Sequence, residues 1–387
     1  LFHQQYNKSF LNPIMKKYKL LYFVSEDEYF LTHKVDQAKS ALKLFNVMIV
    51  SNFGKHEKKI KDLGFQTSNL NFNRKSINPL SNFFIFINFL IIIYKFKPNI
   101  IQCIALKPIL YSTLANFFIK KNVKIISCVV GLGYLFINQK ILTKYIKKLY
   151  FLLLNLFLKN NTYFVFQNKD DQALLKKLGV LNKTKSKIIR GSGVQTKFFR
   201  TSSKKKKYDL IFHSRILEDK GIYELLDALK ILRNKGITLN VLILGSPDPK
   251  NRSSIKRSKL IEWEKEKLII WREKKKNVIP FLQASKISVL PSYREGFPKS
   301  LLESASCGLA IIASDVPGCR EICINHYNGL LVKSKDSKSL SDAIEELILN
   351  PSLTKKYGRN GRLLVEKNFS TKTISDDFIK LYRDLLK

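Results

Sequence analysis

Short apolar runs alternate with helical patterns along almost the whole chain, and this alternation restricts the fold more than any other feature. In the first half, buried strands are indicated at residues 20–24, 46–50, 100–104, 124–129 and 163–166. Helical patterns occur between them, at residues 32–43, 81–94, 108–119, 141–158 and 170–178. Such alternation predicts parallel sheets covered by helices, because a parallel connection needs a crossover.

A second series of the same kind follows a polar, charged stretch at residues 201–207 (TSSKKKK). Its strands are predicted at residues 209–213, 238–244, 268–271, 287–291, 310–313 and 330–332. Its helices are predicted at residues 222–234, 337–349, 353–368 and 373–386. The fold class is therefore α/β, with two doubly wound, Rossmann-like domains. Their cleft faces the carboxyl edges of both sheets, where such folds bind ligands.

The length of 387 residues suits two domains. Residues 1–14 are expected to be disordered or to precede the natural start, because Met15 runs directly into the first strand. The first domain is predicted at residues 15–199 and the linker at residues 200–207. The second domain is predicted at residues 208–371, and a terminal helix at residues 372–387.

The five cysteines form no CxxC pair and no zinc-ligand spacing, so they are interpreted as buried thiols of a reducing compartment, the cytoplasm. No secretory signal is visible. No Asp-x-Asp motif stands at a strand end, and we expect no metal and no cofactor.

The charge of the chain, +39, is unevenly distributed. Residues 63–169 contain no Asp or Glu but fourteen Lys or Arg. Two apolar helical stretches lie there, residues 83–94 and 145–158, each shorter than the roughly twenty residues of a membrane span. This pattern favours peripheral docking on an anionic membrane, although a compositional bias towards Lys, Asn, Ile and Phe would also produce lysines. Nucleic-acid binding lacks every supporting motif.

Residues 292–303, SYREGFPKSLLE, hold two carboxylates eight positions apart around a Gly-x-Pro break. A helix is predicted at residues 298–307, because proline suits a first helical turn and Gly308 a stop. Glu295 then lies in the preceding loop and Glu303 lies over a turn into the helix. The backbone N–H groups at residues 299–301 should form an anion site. One carboxylate can bind a sugar and the other a ribose, with a diphosphate between them.

Other motifs accompany this segment, at residues 22–27 (YFVSED), 131–134 (GLGY), 214–221 (SRILEDKG), 307–318 (CGLAIIASDVPG) and 328–332 (NGLLV). Together they resemble the family 4 retaining glycosyltransferases, in which a Glu-x7-Glu pair closes the nucleotide-sugar site, and specifically members that build bacterial surface glycans. The match extends from about Lys19 onward. The resemblance implies the two-Rossmann glycosyltransferase-B fold, with an acceptor-binding first domain and a nucleotide-sugar-binding second domain. It also implies that the last helix crosses back to the first domain.

The resemblance also assigns roles in the donor site. Arg215, Lys220 and Glu295 are the expected catalytic residues, the two cations neutralising the leaving diphosphate and Glu295 holding a sugar hydroxyl. Glu303 is expected to bind the ribose. The remaining donor-binding residues are Gly245, Gly296, Phe297, Pro298, Ser300 and Leu301.

On the acceptor side, the expected residues are Asp27, His33, Lys107, Gly131 and Gly133. Two departures from the family pattern, Gln102 and Gln195, affect the identity of the acceptor rather than the class of reaction.

The sequence therefore predicts a metal-independent glycosyltransferase that moves a hexose or N-acetylhexosamine from a nucleotide sugar, expected to be a UDP-sugar, to a glycan on a polyprenyl diphosphate. It is expected to act peripherally on the inner face of the plasma membrane. Two alternatives keep the same fold: a nucleotide-sugar epimerase, and a non-catalytic carbohydrate-binding protein. The intact pairs of carboxylates and cations argue against the latter.

Overall fold

The computed structural model describes residues 18–72, 78–119, 122–132, 141–249, 251 and 253–387. The expected start at Met15 and the segment 1–14 lie outside this part of the chain. The described residues form two parallel sheets, each flanked by helices, and the predicted fold class is confirmed.

The first domain contains a seven-stranded sheet in the order β3-β2-β1-β4-β5-β6-β7, with every neighbouring pair parallel. The strands are β1 (Tyr18–Glu26), β2 (Phe45–Asn52), β3 (Gln66–Asn69), β4 (Ile100–Ile104), β5 (Lys124–Val129), β6 (Thr162–Phe166) and β7 (Lys185–Ile188). Its helices are α1 (Asp27–His33), α2 (Val35–Ala41), α3 (Glu57–Asp62), α4 (Pro79–Phe96), α5 (Leu106–Phe118), α6 (Ile141–Phe157) and α7 (Lys169–Lys177).

Both edge strands of this sheet, β3 and β7, were not predicted from the sequence. Their sequences, QTSN and KSKI, are polar and have no apolar run. An edge strand pairs on one side only, and charged residues on it discourage pairing with other chains. The apolar runs of this domain therefore identify its central strands and not its edges.

The helix predicted at residues 32–43 is wrong in its extent. The structure has two shorter helices, α1 and α2, separated at Lys34, where the backbone leaves helical geometry (φ −125°). Lys34 is buried beneath the helices, with Nζ 5.3 Å from the centre of the Phe378 ring. Asp27 consequently begins a helix rather than lying in a loop, and His33 ends that helix rather than starting one.

The second domain contains a six-stranded parallel sheet in the order β10-β9-β8-β11-β12-β13. The strands are β8 (Tyr208–His213), β9 (Val241–Leu244), β10 (Ile270–Arg272), β11 (Ser285–Leu290), β12 (Ala310–Ser314) and β13 (Gly329–Val332). The helices are α8 (Ile222–Asn234), α9 (Arg257–Lys265), α10 (Ile279–Gln283), α11 (Lys299–Ser306), α12 (Ser337–Leu349), α13 (Pro351–Asn368) and α14 (Thr371–Leu386). Residues 189–207, between the two sheets, contain no helix or strand.

The last helix, α14, packs on the first domain. Its Ile374, Phe378, Leu381 and Tyr382 are buried in the same apolar cluster as strands β1 and β2. The Tyr382 hydroxyl lies 2.7 Å from that of Tyr22, and Gln37 Nε2 donates to it at 2.6 Å. The Tyr382 hydroxyl also donates to Gln102 Oε1. Gln102 therefore lies in a buried hydrogen-bond network between the first sheet and helices α2 and α14, and the effect of its departure from the family pattern on the acceptor stays a prediction.

Helix α4 extends two residues beyond the predicted segment 81–94 at each end, and its start is capped by Asn78, whose side chain accepts the N–H groups of Leu80 and Ser81. By length and composition alone, Pro79–Phe96 is the one described helix that could cross a membrane, with 22% of it buried in the protein. However, Ile85, Phe89, Ile93 and Phe96 pack along one side of it into the core of the first domain. That packing places α4 as a layer of the domain, with its opposite side facing outward.

Candidate active site

The site forms at the carboxyl edge of the second sheet, where β8 and β11 end side by side. After β8, a short 3-10 turn (Glu218–Lys220) ends at Gly221 in the left-handed conformation (φ 74°). A Cβ on Gly221 would lie 2.0 Å from the Pro291 carbonyl oxygen, so only glycine allows the two loops to approach this closely. The approach brings Lys220 against the loop that follows β11.

Lys220 and Glu295 form a buried ion pair there. Lys220 Nζ donates to Glu295 Oε1 at 2.6 Å, and the Ser292 hydroxyl donates to the same oxygen at 2.8 Å. The two charged side chains are only 10% and 13% exposed. A charge pair this buried holds both side chains in fixed positions, because separating them would leave either charge uncompensated.

Arg215 lies apart from this pair. Its side chain is 59% exposed, and Nη1 is 3.5 Å from Asp248 Oδ2. The structure therefore joins two of the three predicted catalytic residues and leaves the third on the solvent-exposed side of the loop.

The start of helix α11 differs from the prediction. Pro298 is the N-cap, not the first helical residue, and its carbonyl accepts the Leu301 N–H at 3.1 Å. Leu301 is thus wrong as a donor of a free N–H, and its side chain is fully buried in the core. Phe297 also packs inward, its ring centre 5.4 Å from that of Phe369. Ser300 is half-buried in the first turn.

Glu303 occupies the second turn of α11 in a different environment from Glu295. Its nearest cation is Lys299, with Nζ 3.7 Å from Oε1. Burial nevertheless raises the pKa of Glu303 to about 7, because desolvation outweighs the stabilisation by Lys299. Glu303 therefore titrates close to physiological pH.

His213, the last residue of β8, faces Glu303. Its Nδ1 lies 3.8 Å from Glu303 Oε2, is buried, and has no hydrogen-bond partner. Burial, with the nearby charge of Lys299, lowers the pKa of His213 to about 4. The imidazole is then neutral at physiological pH, and the two groups do not form an ion pair.

Gly245, predicted to allow a nucleotide to approach the backbone, allows a protein contact instead. A Cβ there would lie 1.9 Å from the Ser214 carbonyl oxygen. The Gly245 carbonyl accepts the Trp271 indole N–H at 3.0 Å. The glycine therefore fixes the ends of β8 and β9 relative to each other.

The two domains touch across the cleft at a pair of glycines. A Cβ on Gly296 would lie 2.2 Å from the Val130 carbonyl oxygen, and one on Gly131 would lie 3.2 Å from the Gly296 Cα. Asn168 Nδ2 donates to the Gly296 carbonyl at 2.8 Å. The loop that carries Glu295 is thus in direct backbone contact with the first domain.

On the acceptor side, Asp27 supports the local loop. Its carboxylate accepts the backbone N–H groups of Glu28, Gly54 and His56 at 2.7, 2.8 and 3.1 Å. These bonds satisfy it without a substrate. Asp27 therefore shapes the wall of the cleft, and its contact with the acceptor stays a prediction.

His33 does lie near the second domain. It stacks on Tyr29 with ring centres 4.4 Å apart, and its Nδ1 is 2.7 Å from the Thr32 hydroxyl. Lys299 Nζ donates to the Thr32 carbonyl at 2.8 Å. Burial and the positive charge of Lys299 lower the pKa of His33 to about 4.

Lys107 lies in the first turn of α5 rather than in a loop, with Nζ 5.2 Å from the centre of the Phe72 ring. Burial lowers its pKa. The predicted residue Gly133 lies outside the described part of the chain. Of the two predicted glycines, the structure describes only Gly131.

Sequence reasoning missed Ser292, Asn168 and His213. Asn168 carries a signal, since it caps α7 by accepting the Asp171 N–H. Ser292 and His213 stand at strand ends that were identified, but nothing in their local sequence separates them from ordinary residues. Among the described residues, no group of three or more His, Cys, Asp or Glu could hold a metal ion.

Two family models match the chain, one on each domain. Residues 194–364 match the model described as "Glycosyl transferases group 1", and residues 19–168 match "Glycosyl transferase 4-like". The two matches together span most of the chain.

Relatives of similar length match from end to end. The N,N'-diacetylbacillosaminyl-diphospho-undecaprenol alpha-1,3-N-acetylgalactosaminyltransferase of Campylobacter jejuni is 28% identical over 88% of this chain and 92% of its own length. The capsular polysaccharide biosynthesis glycosyltransferase CapM of Staphylococcus aureus is 25% identical over 89% and 91%.

Solved structures share the fold at lower identity. Sucrose-phosphate synthase from Thermosynechococcus elongatus superposes with a TM-score of 0.77 at 18% identity, covering 95% of this chain and 99% of that one. HepE of Anabaena, solved with UDP and glucose, gives 0.77 at 14% identity, with the same coverages. The architecture, two Rossmann-like domains around a cleft, is common to all three.

Proposed function

The chain belongs to the glycosyltransferases of the two-domain glycosyltransferase-B fold, and we propose that it is a retaining enzyme that transfers a hexose or N-acetylhexosamine from a UDP-sugar to a lipid-linked glycan. The observation that carries this proposal is the grouping of Lys220, Glu295 and Glu303 at one sheet edge. The names of the Campylobacter and staphylococcal relatives support the acceptor class, since they refer to a diphospho-undecaprenol-linked sugar and to capsular polysaccharide.

In the proposed donor complex, the diphosphate lies between the two carboxylates. Lys220 supplies a fixed positive charge, and Arg215 turns from Asp248 to form a bidentate contact with phosphate oxygens. Glu295, held by Lys220 and Ser292, accepts a hydroxyl of the sugar. Glu303 accepts the ribose hydroxyls, and the loop at Gly296 and Pro298 lines the sugar.

The proposed reaction breaks the bond between the anomeric carbon and the diphosphate oxygen on the same face on which the acceptor hydroxyl attacks. The acceptor proton passes to the leaving phosphate. Lys220, held in place by Glu295, and the reoriented Arg215 stabilise the charge that develops there. We propose that they suffice without a metal ion or another cofactor.

The acceptor is proposed to enter beside His33, Lys107 and Gly131. Asp27 holds the loop that borders this entrance. Lys107 and His33 have pKa values lowered by burial, so both are sensitive to a negatively charged group placed next to them. A polyprenyl diphosphate carries such a group.

We further propose that the first domain docks on the anionic inner face of the plasma membrane. Large apolar side chains are exposed on α4, α5 and α6 and form one surface, called the outer face: Leu80, Phe83, Phe84, Ile87, Ile91, Tyr94, Phe117, Phe118, Ile141, Tyr145, Leu149, Leu152 and Leu156. Phe118 contacts Phe86 and Phe117 contacts Phe157, so α5 joins the other two helices. A continuous surface with thirteen large, exposed apolar side chains marks an interaction surface.

The lysines of the acid-free stretch flank this outer face. On α6, the exposed apolar residues recur at intervals of three or four, which places them in one stripe, and Lys144 and Lys148 each precede one of them. Basic residues beside an apolar stripe are typical of helices that lie in the plane of an anionic membrane.

The proposal is tested by incubating the protein with a panel of UDP-sugars and lipid-linked acceptors, with products identified by mass spectrometry. Transfer with retention of the anomeric configuration is the expected result. Isomerised donor in the absence of acceptor would point to the epimerase instead. Failure of all donors, with no binding of UDP, would overturn the proposed function.

A further inference from the structure

His213 is a polar side chain for which the fold of the second domain provides no partner. It ends β8, the third strand in the sheet order, and lies on the same face of the sheet as Ile211. That face packs against Cys307 of α11. Glu303 precedes Cys307 by one helical turn, so the imidazole and the carboxylate meet between sheet and helix.

The cost of this arrangement indicates that it has a use. A buried nitrogen without a hydrogen-bond partner destabilises a protein, because its hydrogen bond to water is lost and not replaced, and His213 Nδ1 is such an atom. An apolar residue at the end of β8 would avoid that cost, since the neighbouring Leu244 and Ile211 are apolar. The imidazole instead faces the carboxylate that the proposed function assigns to the ribose.

We propose that His213 is a positioning residue that donates its Nδ1–H to Glu303 and holds that carboxylate ionised and oriented towards the ribose of the bound nucleotide. The separation of 3.8 Å is longer than a hydrogen bond, and a small rotation of either side chain closes it. This inference rests on the proposed function, because it presumes that Glu303 binds the nucleotide.

The neighbours of Glu303 explain why it needs such a donor. Lys299, on its own helix, lies 3.7 Å away and also donates to Thr32 of the first domain. Cys307 carries no charge at physiological pH, because burial raises the pKa of its thiol to about 12. His213 is the group on the sheet side, and it remains neutral over the range in which Glu303 titrates. Glu303 alone therefore sets the pH dependence of this cluster.

The test is the affinity for UDP as a function of pH, measured calorimetrically between pH 5.5 and pH 9. For the wild-type protein, affinity is expected to rise through about pH 7, as Glu303 ionises. His213→Phe should weaken binding about tenfold at pH 7 and move the midpoint upward by about one unit, with the difference shrinking at pH 9. His213→Asn keeps a neutral N–H donor, so its UDP affinity at pH 7 and its midpoint should lie between those of the wild type and those of His213→Phe.

Two controls separate this role from a general structural one. His326→Asn changes an exposed histidine of the same domain, at a positive φ that asparagine tolerates, and should leave the midpoint unchanged. In a Glu303→Gln background, His213→Phe should cause no further loss. An equal loss in both backgrounds, or an unchanged midpoint in His213→Phe, would overturn the inference.

Failure of the proposed function gives a different result. If wild-type protein does not bind UDP, or if Glu303→Gln leaves UDP affinity unchanged, the assignment of Glu303 is wrong and this inference is overturned with it. Thermal unfolding of each variant identifies any that fails to fold, and His213→Asn then carries the comparison of midpoints.

Discussion

Charged side chains around the cleft of the second domain have partners, whereas the outer face of the first domain presents lysines beside exposed leucines and phenylalanines. Lys220 pairs with Glu295, and Arg294 with Asp171 across the cleft. Residues 63–169 contain no acid and cannot form one ion pair among themselves. Two domains of the same architecture thus carry charge differently: around the cleft of the second domain it is paired, and on the outer face of the first domain unbalanced positive charge lies beside exposed apolar side chains, the arrangement on which the proposed membrane docking rests.

The same contrast recurs on a smaller scale between the two carboxylates. Glu295 is neutralised by a lysine within hydrogen-bonding distance, whereas Glu303 faces a neutral imidazole and a more distant lysine. The two carboxylates of the proposed donor site therefore have different electrostatic surroundings. Changes that remove one partner at a time test whether these differences matter.

The largest effect is expected from breaking the buried pair. Lys220→Met leaves the Glu295 carboxylate without its cation in a buried position, which should cost roughly 3–5 kcal/mol of stability and abolish sugar transfer. The double change Lys220→Met with Glu295→Gln should recover most of the stability and none of the transfer. Denaturant unfolding and a transfer assay measure the two quantities. A single variant as stable as the wild type would show that the pair is not held as described.

A smaller effect, with opposite signs in binding and stability, is expected for Glu303→Gln. UDP binding should weaken by roughly 1.5–3 kcal/mol, the value of a hydrogen bond to a charged group. Folding should become more favourable above pH 7, because ionised Glu303 is buried with incomplete compensation.

The direction of this change in stability follows from the pKa values of Glu303 in the unfolded and folded states. Glu303 titrates near 4.5 in the unfolded chain and near 7 in the folded protein. The wild type therefore loses stability as pH rises from about 5 to about 7 and is constant above that, whereas the glutamine variant lacks this loss. The melting temperatures of the wild type and the glutamine variant should agree at pH 5 and differ at pH 8. The difference at pH 8 should correspond to roughly 1–3 kcal/mol in the free energy of unfolding.

An effect that is smaller for each residue changed concerns the outer face. Reversing Lys144, Lys147 and Lys148 to Glu should reduce binding to anionic vesicles by about 1 kcal/mol per residue at low salt, and progressively less as salt screens the charges. UDP affinity should not change, since the donor site is in the other domain. Vesicle flotation measures the former and calorimetry the latter.

The matched control reverses Lys355 and Lys356, exposed on α13 of the second domain. If this variant loses as much vesicle binding as the α6 variant, the lysines act through total charge alone and the docking assignment fails. Replacing Leu149, Leu152 and Leu156 by serine should weaken vesicle binding in a manner that salt does not alter, because those contacts are apolar.

The last prediction is that removing metal ions leaves the activity unchanged. Activity should survive chelation by EDTA, because Lys220 and Arg215 already supply positive charge to the diphosphate. Activity lost on chelation and restored by magnesium or manganese would show that the paired charges of the second domain are insufficient on their own.

The sequence predicted the central strands and the fold class because each buried strand is a continuous apolar run flanked by a helix. It placed Glu295 and Glu303 correctly relative to strand and helix. The edge strands β3 and β7 were missed because they lack apolar runs, whereas the edge strands β10 and β13 of the second sheet contain such runs and were predicted. Contacts such as Lys220 with Glu295, or His213 with Glu303, join residues 75 or more positions apart and depend on which strands become neighbours. Local patterns do not contain that information, so the partners of the site residues required the structure.

Helix α14 has a consequence for how the first domain folds. Tyr382 lies 360 positions after Tyr22 in the chain, and both are buried in one cluster with Phe378 and Phe45. Contacts between residues so distant in sequence form slowly, because a long loop must close first. The first domain therefore cannot complete this wall of its core from its own contiguous segment. A fragment that ended before α14 would expose the apolar wall that the helix covers.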